Sequence, residues 1–173
     1  MSGKNISHIK WMKRAIFLAS LGKNTTSPNP RVGAVILDKK GNLISEGFHH
    51  RSGMPHAEAM AFNNLKKDPK DGSMYVNLEP CCHQGKTPPC VDKIISSGIR
   101  NVYISIQDPD KRVSGRGIKL LQEAGIQVHL GLCKKESLEL NKDFFHRNIT
   151  KKAFGVLKWA MSIDGRVALK NGK

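Results

Sequence analysis

Pro55-His56-Ala57-Glu58 is the most informative stretch of this sequence, and it belongs together with Glu79-Pro80-Cys81-Cys82 and Cys90. One His and two Cys side chains can hold a zinc ion and leave its fourth position to a water molecule, whose pKa the metal lowers. The Glu two residues after the His can carry a proton from that water to a leaving amine. The stretch therefore predicts a hydrolytic zinc site.

We predict that His56, Cys81 and Cys90 are the zinc ligands and that Glu58 is the catalytic residue. H-x-E followed by P-C-x-x-C is the signature of zinc deaminases that act on nucleobases. The second half varies here, because Gln84 stands where the second Cys would be and the spacing becomes P-C-x8-C.

The inserted loop places new side chains beside the predicted metal. Three of them, His83, Lys86 and Thr87, suit a polar or phosphorylated substrate. Lys86 is the expected phosphate partner, because a flexible ammonium group suits that role.

Two other interpretations of the cysteines stay open. The four Cys residues could form two disulfides, although Cys81 and Cys82 are adjacent and nothing marks the chain as secreted. A closed structural zinc site would need a fourth protein ligand, which His83 could supply.

The composition is that of a soluble globular protein, with 39% hydrophobic and 25% charged residues in 173. There is no apolar run long enough to cross a membrane and no signal peptide, and free thiols at metal-ligand spacing favour the cytoplasm. The net charge is +15, from 29 Lys and Arg against 14 Asp and Glu. These cations are scattered without an arginine-rich tract, so we do not expect a nucleic-acid partner.

Hydrophobic periodicity predicts alternating elements after an initial helix and hairpin. The alternation indicates an α/β fold, an α/β/α sandwich with a mixed five-stranded sheet. The predicted helices are 8–22, 56–65, 91–97, 118–124 and 136–146, and the predicted strands are 32–37, 43–48, 73–78, 101–106, 126–130 and 154–161. Because His56 begins a helix, the positive end of the helix dipole is expected to favour its neutral form.

A series of motifs resembles the deaminase domain of the bifunctional riboflavin-biosynthesis deaminase/reductase over roughly residues 8–173. The motifs are Pro28-Asn29-Pro30-x-Val32-Gly33-Ala34, His56-Ala57-Glu58, Leu78-Glu79-Pro80-Cys81, Gly85-Lys86-Thr87-Pro88-Pro89-Cys90, Asp108-Pro109 and Gly115-Arg116-Gly117. The resemblance implies the cytidine-deaminase-like fold, with substrate contacts at Asn29, His49 and Asp108. From the residues alone, Asn29 could be only a turn former and His49 a solvated loop residue. The family usually has Asp-Pro-Asn-Pro where this chain has Asp108-Pro109-Asp110-Lys111, which puts a substrate role for Asp110 in doubt.

The resemblance implies zinc-dependent hydrolytic deamination of 2,5-diamino-6-(ribosylamino)pyrimidin-4-one 5′-phosphate. Two rival functions stay open: a zinc deaminase acting on tRNA adenosine or free cytidine, and a non-catalytic zinc-bearing RNA-binding module. A homo-oligomer is a further expectation.

Residues 1–150 are the predicted deaminase domain, and 151–173 resemble the start of a truncated or absent reductase domain through Lys158-x-Ala160-x-Ser162-x-Asp164-Gly165-Arg166. A domain that binds NADPH cannot be built from about twenty residues. NADPH is therefore expected only if a complete reductase domain is present, and no reductase activity is expected from this chain alone.

Overall fold

The computed structural model describes residues 2–83 and 88–168. Its helices are α1 (Ser2–Ser20), α2 (Ala57–Asn63), α3 (Cys90–Ser96), α4 (Arg116–Glu123), α5 (Lys134–Leu140) and α6 (Lys142–Thr150). Its strands are β1 (Gly33–Leu37), β2 (Leu43–Phe48), β3 (Ser73–Val76), β4 (Asn101–Ile104) and β5 (Gln127–Leu130). None of the described helices is long and apolar enough to span a bilayer.

The five strands form one mixed sheet in the order β2-β1-β3-β4-β5. β1 pairs with β2 and with β3 in antiparallel fashion, whereas β3, β4 and β5 run parallel. The parallel half places the carboxyl ends of β3 and β4 side by side, which is where open α/β sheets collect functional residues. The predicted mixed sheet is confirmed.

Helices cover both faces of the sheet and complete the α/β/α sandwich. Successive residues of a strand point to opposite faces, so Ala34 and Ile36 of β1 join the core under α2, α3 and α4, while Val35 and Leu37 join the core under α1. All four side chains are almost completely buried. The alternation explains why β1, at the centre of the antiparallel half, is apolar at every position.

The region predicted as one helix over 136–146 is two helices, α5 and α6, separated at Asn141. The Asn141 side chain is fully buried and bonds both backbone groups of Arg31: its Oδ1 accepts from the Arg31 N–H at 2.8 Å and its Nδ2 donates to the Arg31 carbonyl at 2.9 Å. The backbone of Asn141 leaves helical geometry, with φ −111° and ψ 21°, and these two hydrogen bonds hold the residue in that position.

The strand predicted over 154–161 is wrong. Residues 154–161 pair with no other strand in the described part of the chain, and Val156, Leu157 and Trp159 are all exposed. The apolar pattern is that of a strand, but a strand forms only where a neighbour accepts its backbone hydrogen bonds. The other predicted elements lie within a few residues of the observed ones, apart from α1, which begins six residues earlier.

Candidate active site

The predicted zinc ligands come together at the carboxyl end of the sheet. His56 caps the N-terminus of α2, Cys81 follows β3 and Cys90 is the first residue of α3. His56 Nδ1 lies 3.4 Å from Cys81 Sγ and 3.5 Å from Cys90 Sγ, and the three ligand atoms lie within 4.8 Å of one another. Tetrahedral zinc with its usual Zn–N and Zn–S bond lengths separates such atoms by about 3.5 Å, so this donor set fits zinc.

The cluster contains no fourth protein ligand among the residues that the structure describes. His83 is described and does not join it, and the four cysteines are free thiols. The described residues therefore form neither a closed four-ligand zinc site nor a disulfide. The arrangement of three ligands with an open position is typical of catalytic zinc.

Charge at the cluster centres on the Cys81 thiol. The Cys90 thiol and the His56 ring hydrogen-bond to it and hold its pKa at about 4, so it is a ready thiolate. The hydrogen bond with Cys81 raises the pKa of His56, although burial lowers it. The neutral His56 ring that zinc requires stays an expectation from the sequence.

Glu58 lies in the first turn of α2 and is 4% exposed. Burial, reinforced by the charge of Cys81, raises the pKa of Glu58 to about 7. A carboxyl group with that pKa can both accept and release a proton near neutral pH.

A cleft of about 310 Å³ opens beside the cluster. Seven of the ten predicted site residues line it, and they come from four separate segments: Asn29, His49, His56, Glu58, Cys81, His83 and Asp108. Cys90 is buried at the cluster without lining the cleft, and the predicted contacts Lys86 and Thr87 lie outside the described residues. The His83 Nδ1 atom is buried and has no hydrogen-bond partner within the described ranges.

Asn29 and His49 form one unit in the cleft wall. His49 Nδ1 lies 3.0 Å from the carbonyl oxygen of Pro55, which can only accept, so this nitrogen carries the proton. His49 Nε2 then accepts from Asn29 Nδ2 at 3.1 Å. Burial lowers the pKa of His49, in agreement with this neutral form. The network uses one of the two N–H donors of the Asn29 amide and leaves its carbonyl oxygen for a substrate donor.

Asp108 and Asp110 lie on one loop and have opposite electrostatic environments. Burial raises the pKa of Asp108 to about 7, whereas Arg112 lowers the pKa of Asp110 to about 2 by binding both of its carboxylate oxygens. The Asp110 carboxylate is thus committed to Arg112, which is the physical consequence of an acid where the resembling family has an amide.

Glu79 holds this loop against the end of β3. Its buried carboxylate accepts from the backbone N–H groups of Asp108 at 3.2 Å, Gly115 at 2.9 Å and Ile118 at 3.3 Å. At Gly117 a Cβ would lie 2.4 Å from the Pro80 carbonyl oxygen, so only glycine permits this approach. Glu79 therefore positions the Asp108 loop rather than the metal.

Helix α6 also contributes to the cleft, which was not predicted from the sequence. Phe144, Arg147 and Asn148 line the cleft opposite the metal cluster. Their spacing of three and four residues puts them on one face of a helix, and that spacing was the available signal. Nothing in the sequence showed that this face meets the Pro28-Asn29-Pro30 segment.

Comparison with known proteins agrees with this geometry. The family described as "Cytidine and deoxycytidylate deaminase zinc-binding region" matches residues 5–106, more than half of the chain. The chain belongs to this deaminase family. Its members carry the zinc-binding region that the His56, Cys81 and Cys90 cluster fits.

Individual relatives in the deaminase family carry names that are more specific than the family description. The diaminohydroxyphosphoribosylamino-pyrimidine deaminase of Buchnera aphidicola subsp. Schizaphis graminum is 51% identical over 137 residues, which are 79% of this chain and 92% of that protein. The riboflavin biosynthesis protein RibD of Aquifex aeolicus is 44% identical over 94% of this chain and 45% of its own length.

A solved structure extends the likeness to the fold. The diaminohydroxyphosphoribosylaminopyrimidine deaminase/5-amino-6-(5-phosphoribosylamino)uracil reductase of Thermotoga maritima superposes with a TM-score of 0.90 at 41% identity, over 98% of this chain and 49% of that one. The chain spans about half the length of most of the curated relatives it matches.

Proposed function

We propose that this chain catalyses the zinc-dependent hydrolytic deamination of 2,5-diamino-6-(ribosylamino)pyrimidin-4-one 5′-phosphate. The products are 5-amino-6-(ribosylamino)uracil 5′-phosphate and ammonia, a step of riboflavin biosynthesis. The observation that supports it most is the buried Glu58, with a pKa of about 7, in the same cleft as an open His-Cys-Cys donor set.

The residues divide the reaction between them. His56, Cys81 and Cys90 would hold zinc, which when bound would make hydroxide available from water near neutral pH. Glu58 accepts the proton that this water gives up and later donates it to the departing amine, so that ammonia leaves as the ring carbon gains an oxygen. Burial of Glu58 supports both transfers, because it brings the pKa of the carboxyl group to about 7.

Residues on the side of the cleft that contains Asn29 orient the substrate. The Asn29 carbonyl oxygen accepts from a ring or exocyclic N–H, and the hydrogen bond from its amide nitrogen to His49 holds it in place. Asp108 and His83 add polar groups to the lining, and Lys86 and Thr87 stay predicted contacts. The named activities of the Buchnera and Thermotoga relatives support the phosphoribosylated pyrimidine as substrate.

The test is ammonia release by the purified, zinc-loaded chain. The phosphorylated diaminopyrimidine, cytidine and a tRNA anticodon stem-loop are supplied separately to wild type and to Glu58→Gln. We expect turnover of the first substrate alone, with a loss of about 100-fold to 10,000-fold in Glu58→Gln while zinc content stays unchanged.

Turnover of the tRNA or of cytidine instead would favour the corresponding rival deaminase. Zinc-dependent RNA binding that survives Glu58→Gln, without turnover, would favour the non-catalytic module.

We further propose that residues 1–150 are the deaminase domain and that 151–173 begin the reductase part seen in the bifunctional relatives. The exposure of Val156, Leu157 and Trp159 supports this division, since their side chains contribute little to the described core. A chain that stops after Thr150 should bind zinc and unfold in urea as the whole chain does. A large loss of stability would contradict the boundary. The cytoplasmic location and a homo-oligomer stay predictions.

A further inference from the structure

Helix α6 is fixed rigidly against the segment that carries Asn29. Asn141, just before α6, bonds both backbone groups of Arg31, and Asp143 in its first turn forms an ion pair with the Arg31 side chain. Phe145, 8% exposed, packs in a core cluster with Leu78 and Ile106 beyond the ends of β3 and β4. These contacts fix the orientation of the helix, so the side chains on its cleft face are preorganised.

Arg147 is held with its guanidinium group at the cleft. One of its terminal nitrogens donates to the Pro28 carbonyl oxygen, and the guanidinium carbon lies 5.7 Å from the centre of the Phe144 ring. A single carbonyl uses only part of the five N–H donors of an arginine. Arg147 therefore has donors left for a ligand and little freedom to turn away from it.

The two arginines of the cleft differ in charge balance. Arg112 is neutralised by Asp110, with contacts of 2.6 to 3.1 Å. Arg147 forms no ion pair with a carboxylate of the described residues. An arginine fork without a carboxylate partner matches the geometry of a phosphate group.

A smaller polar space of about 160 Å³ lies beside the cleft. Four residues line both spaces, so Arg147 lies between them: Pro28, Asn29, Phe144 and Arg147. The carboxylate of this smaller space, Asp143, is committed to Arg31. A ligand that reaches from the metal cluster past Asn29 contacts Arg147, whose positive charge is not neutralised by a carboxylate of the described residues.

We propose that Arg147 binds the phosphate monoester of the substrate and makes the enzyme select phosphorylated over unphosphorylated pyrimidine ribosides. This inference rests on the proposed function. It assigns the phosphate to the α6 wall of the cleft rather than to the loop that contains Lys86, the residue expected from the sequence.

The experiment compares the phosphorylated diaminopyrimidine with its dephosphorylated riboside in four zinc-loaded proteins: wild type, Arg147→Gln, Arg147→Lys and Lys142→Gln. Lys142 is the matched control, because it lies on α6, loses the same charge on substitution and does not line the cleft. For Arg147→Gln we expect KM for the phosphorylated substrate to rise about 10-fold to 100-fold with kcat preserved. The riboside should keep its KM, and Arg147→Lys should recover part of the loss.

Equal KM changes for both substrates in Arg147→Gln would overturn the inference, because they would indicate a structural role through Pro28. An unchanged KM for the phosphorylated substrate would overturn it as well.

A second measurement separates this inference from the proposed function. Calorimetric titration with ribose 5-phosphate, with ribose as the control ligand, reports phosphate binding without any turnover. Weaker binding in Arg147→Gln than in wild type and Lys142→Gln supports the Arg147 site even if no pyrimidine is deaminated. Equal binding by the three proteins, or none by wild type, overturns it even if deamination is observed.

Discussion

The two walls of the cleft are built in different ways. On the metal wall, which carries the three zinc ligands, His56 and Cys90 lie at the starts of α2 and α3, and Cys81 lies in the loop after β3. The opposite wall joins the Pro28–Val32 segment to α6 through side-chain contacts between residues about 110 positions apart. The metal wall thus depends on the local geometry of the chain at each ligand. The opposite wall, which we call the recognition wall, depends on long-range side-chain contacts, each of which a single substitution can remove.

The largest effect should follow from the metal wall. Cys81→Ser removes the ligand whose thiolate the cluster stabilises, and Cys82→Ser changes the same atom one residue away. We expect zinc affinity to fall by more than about 100-fold in Cys81→Ser. Substitution of a residue that only hydrogen-bonds to a metal ligand already lowers metal affinity by about 10-fold to 100-fold. Cys82, whose sulfur contacts the Arg112 carbonyl oxygen at 3.7 Å, should be replaceable with zinc retained.

Metal content by elemental analysis and turnover under matched zinc loading measure this difference. Equal zinc loss in both variants would mean that the loop, rather than the individual ligand, holds the metal, and the contrast between the two walls would fail.

The next effect is on stability rather than on metal binding, and it is expected at Asp108, in the loop that Glu79 holds. Its pKa is about 7 in the folded chain and about 3.9 in an unfolded one, so the folded state binds the proton more tightly. The stabilisation by that proton is complete below pH 4 and is lost as pH rises through 7. Asp108→Asn should therefore gain up to about 4 kcal/mol relative to wild type between pH 4 and pH 8.

Urea unfolding at several pH values measures the gain. Asp110→Asn is the control, because the pKa of Asp110 is about 2 and its titration lies outside this range. A pH dependence of the wild type that Asp108→Asn leaves unchanged would show that another group causes it.

The smallest effect should follow from Glu79, which fixes the Asp108 loop to β3. Glu79→Gln weakens three hydrogen bonds from backbone N–H groups to a buried carboxylate, and we expect a loss of about 1 to 3 kcal/mol in the free energy of unfolding. Glu139→Gln, which changes an exposed ion pair with Lys142, should cost less than about 0.5 kcal/mol. With the loop loosened, KM should rise more than kcat falls. A change in zinc affinity instead would place Glu79 with the metal wall.

The sequence predicted the metal wall because its information is local. H-A-E at a helix start and P-C at a strand end specify both residue type and position, so His56, Glu58, Cys81 and Cys90 could be named together. The recognition wall could not be assembled in this way. Asn29 and His49 were named through resemblance, but Phe144 and Arg147 are ordinary helix residues until Asn141 docks α6 onto Arg31. The error at 154–161 has the same origin, since a strand pattern does not reveal whether a pairing partner exists.

One backbone contact has a consequence for how this enzyme type can diversify. The Val91 N–H donates to the Cys81 carbonyl oxygen at 3.2 Å, and the Cys90 N–H lies 3.4 Å from Cys81 Sγ, so the two ends of the intervening loop are fastened to each other. We therefore expect a change in the length of the loop to leave the positions of the two sulfur atoms unchanged. This makes the loop a natural grafting point, where segments exchanged between homologues or drawn from a library could alter substrate preference while the reaction centre stays intact.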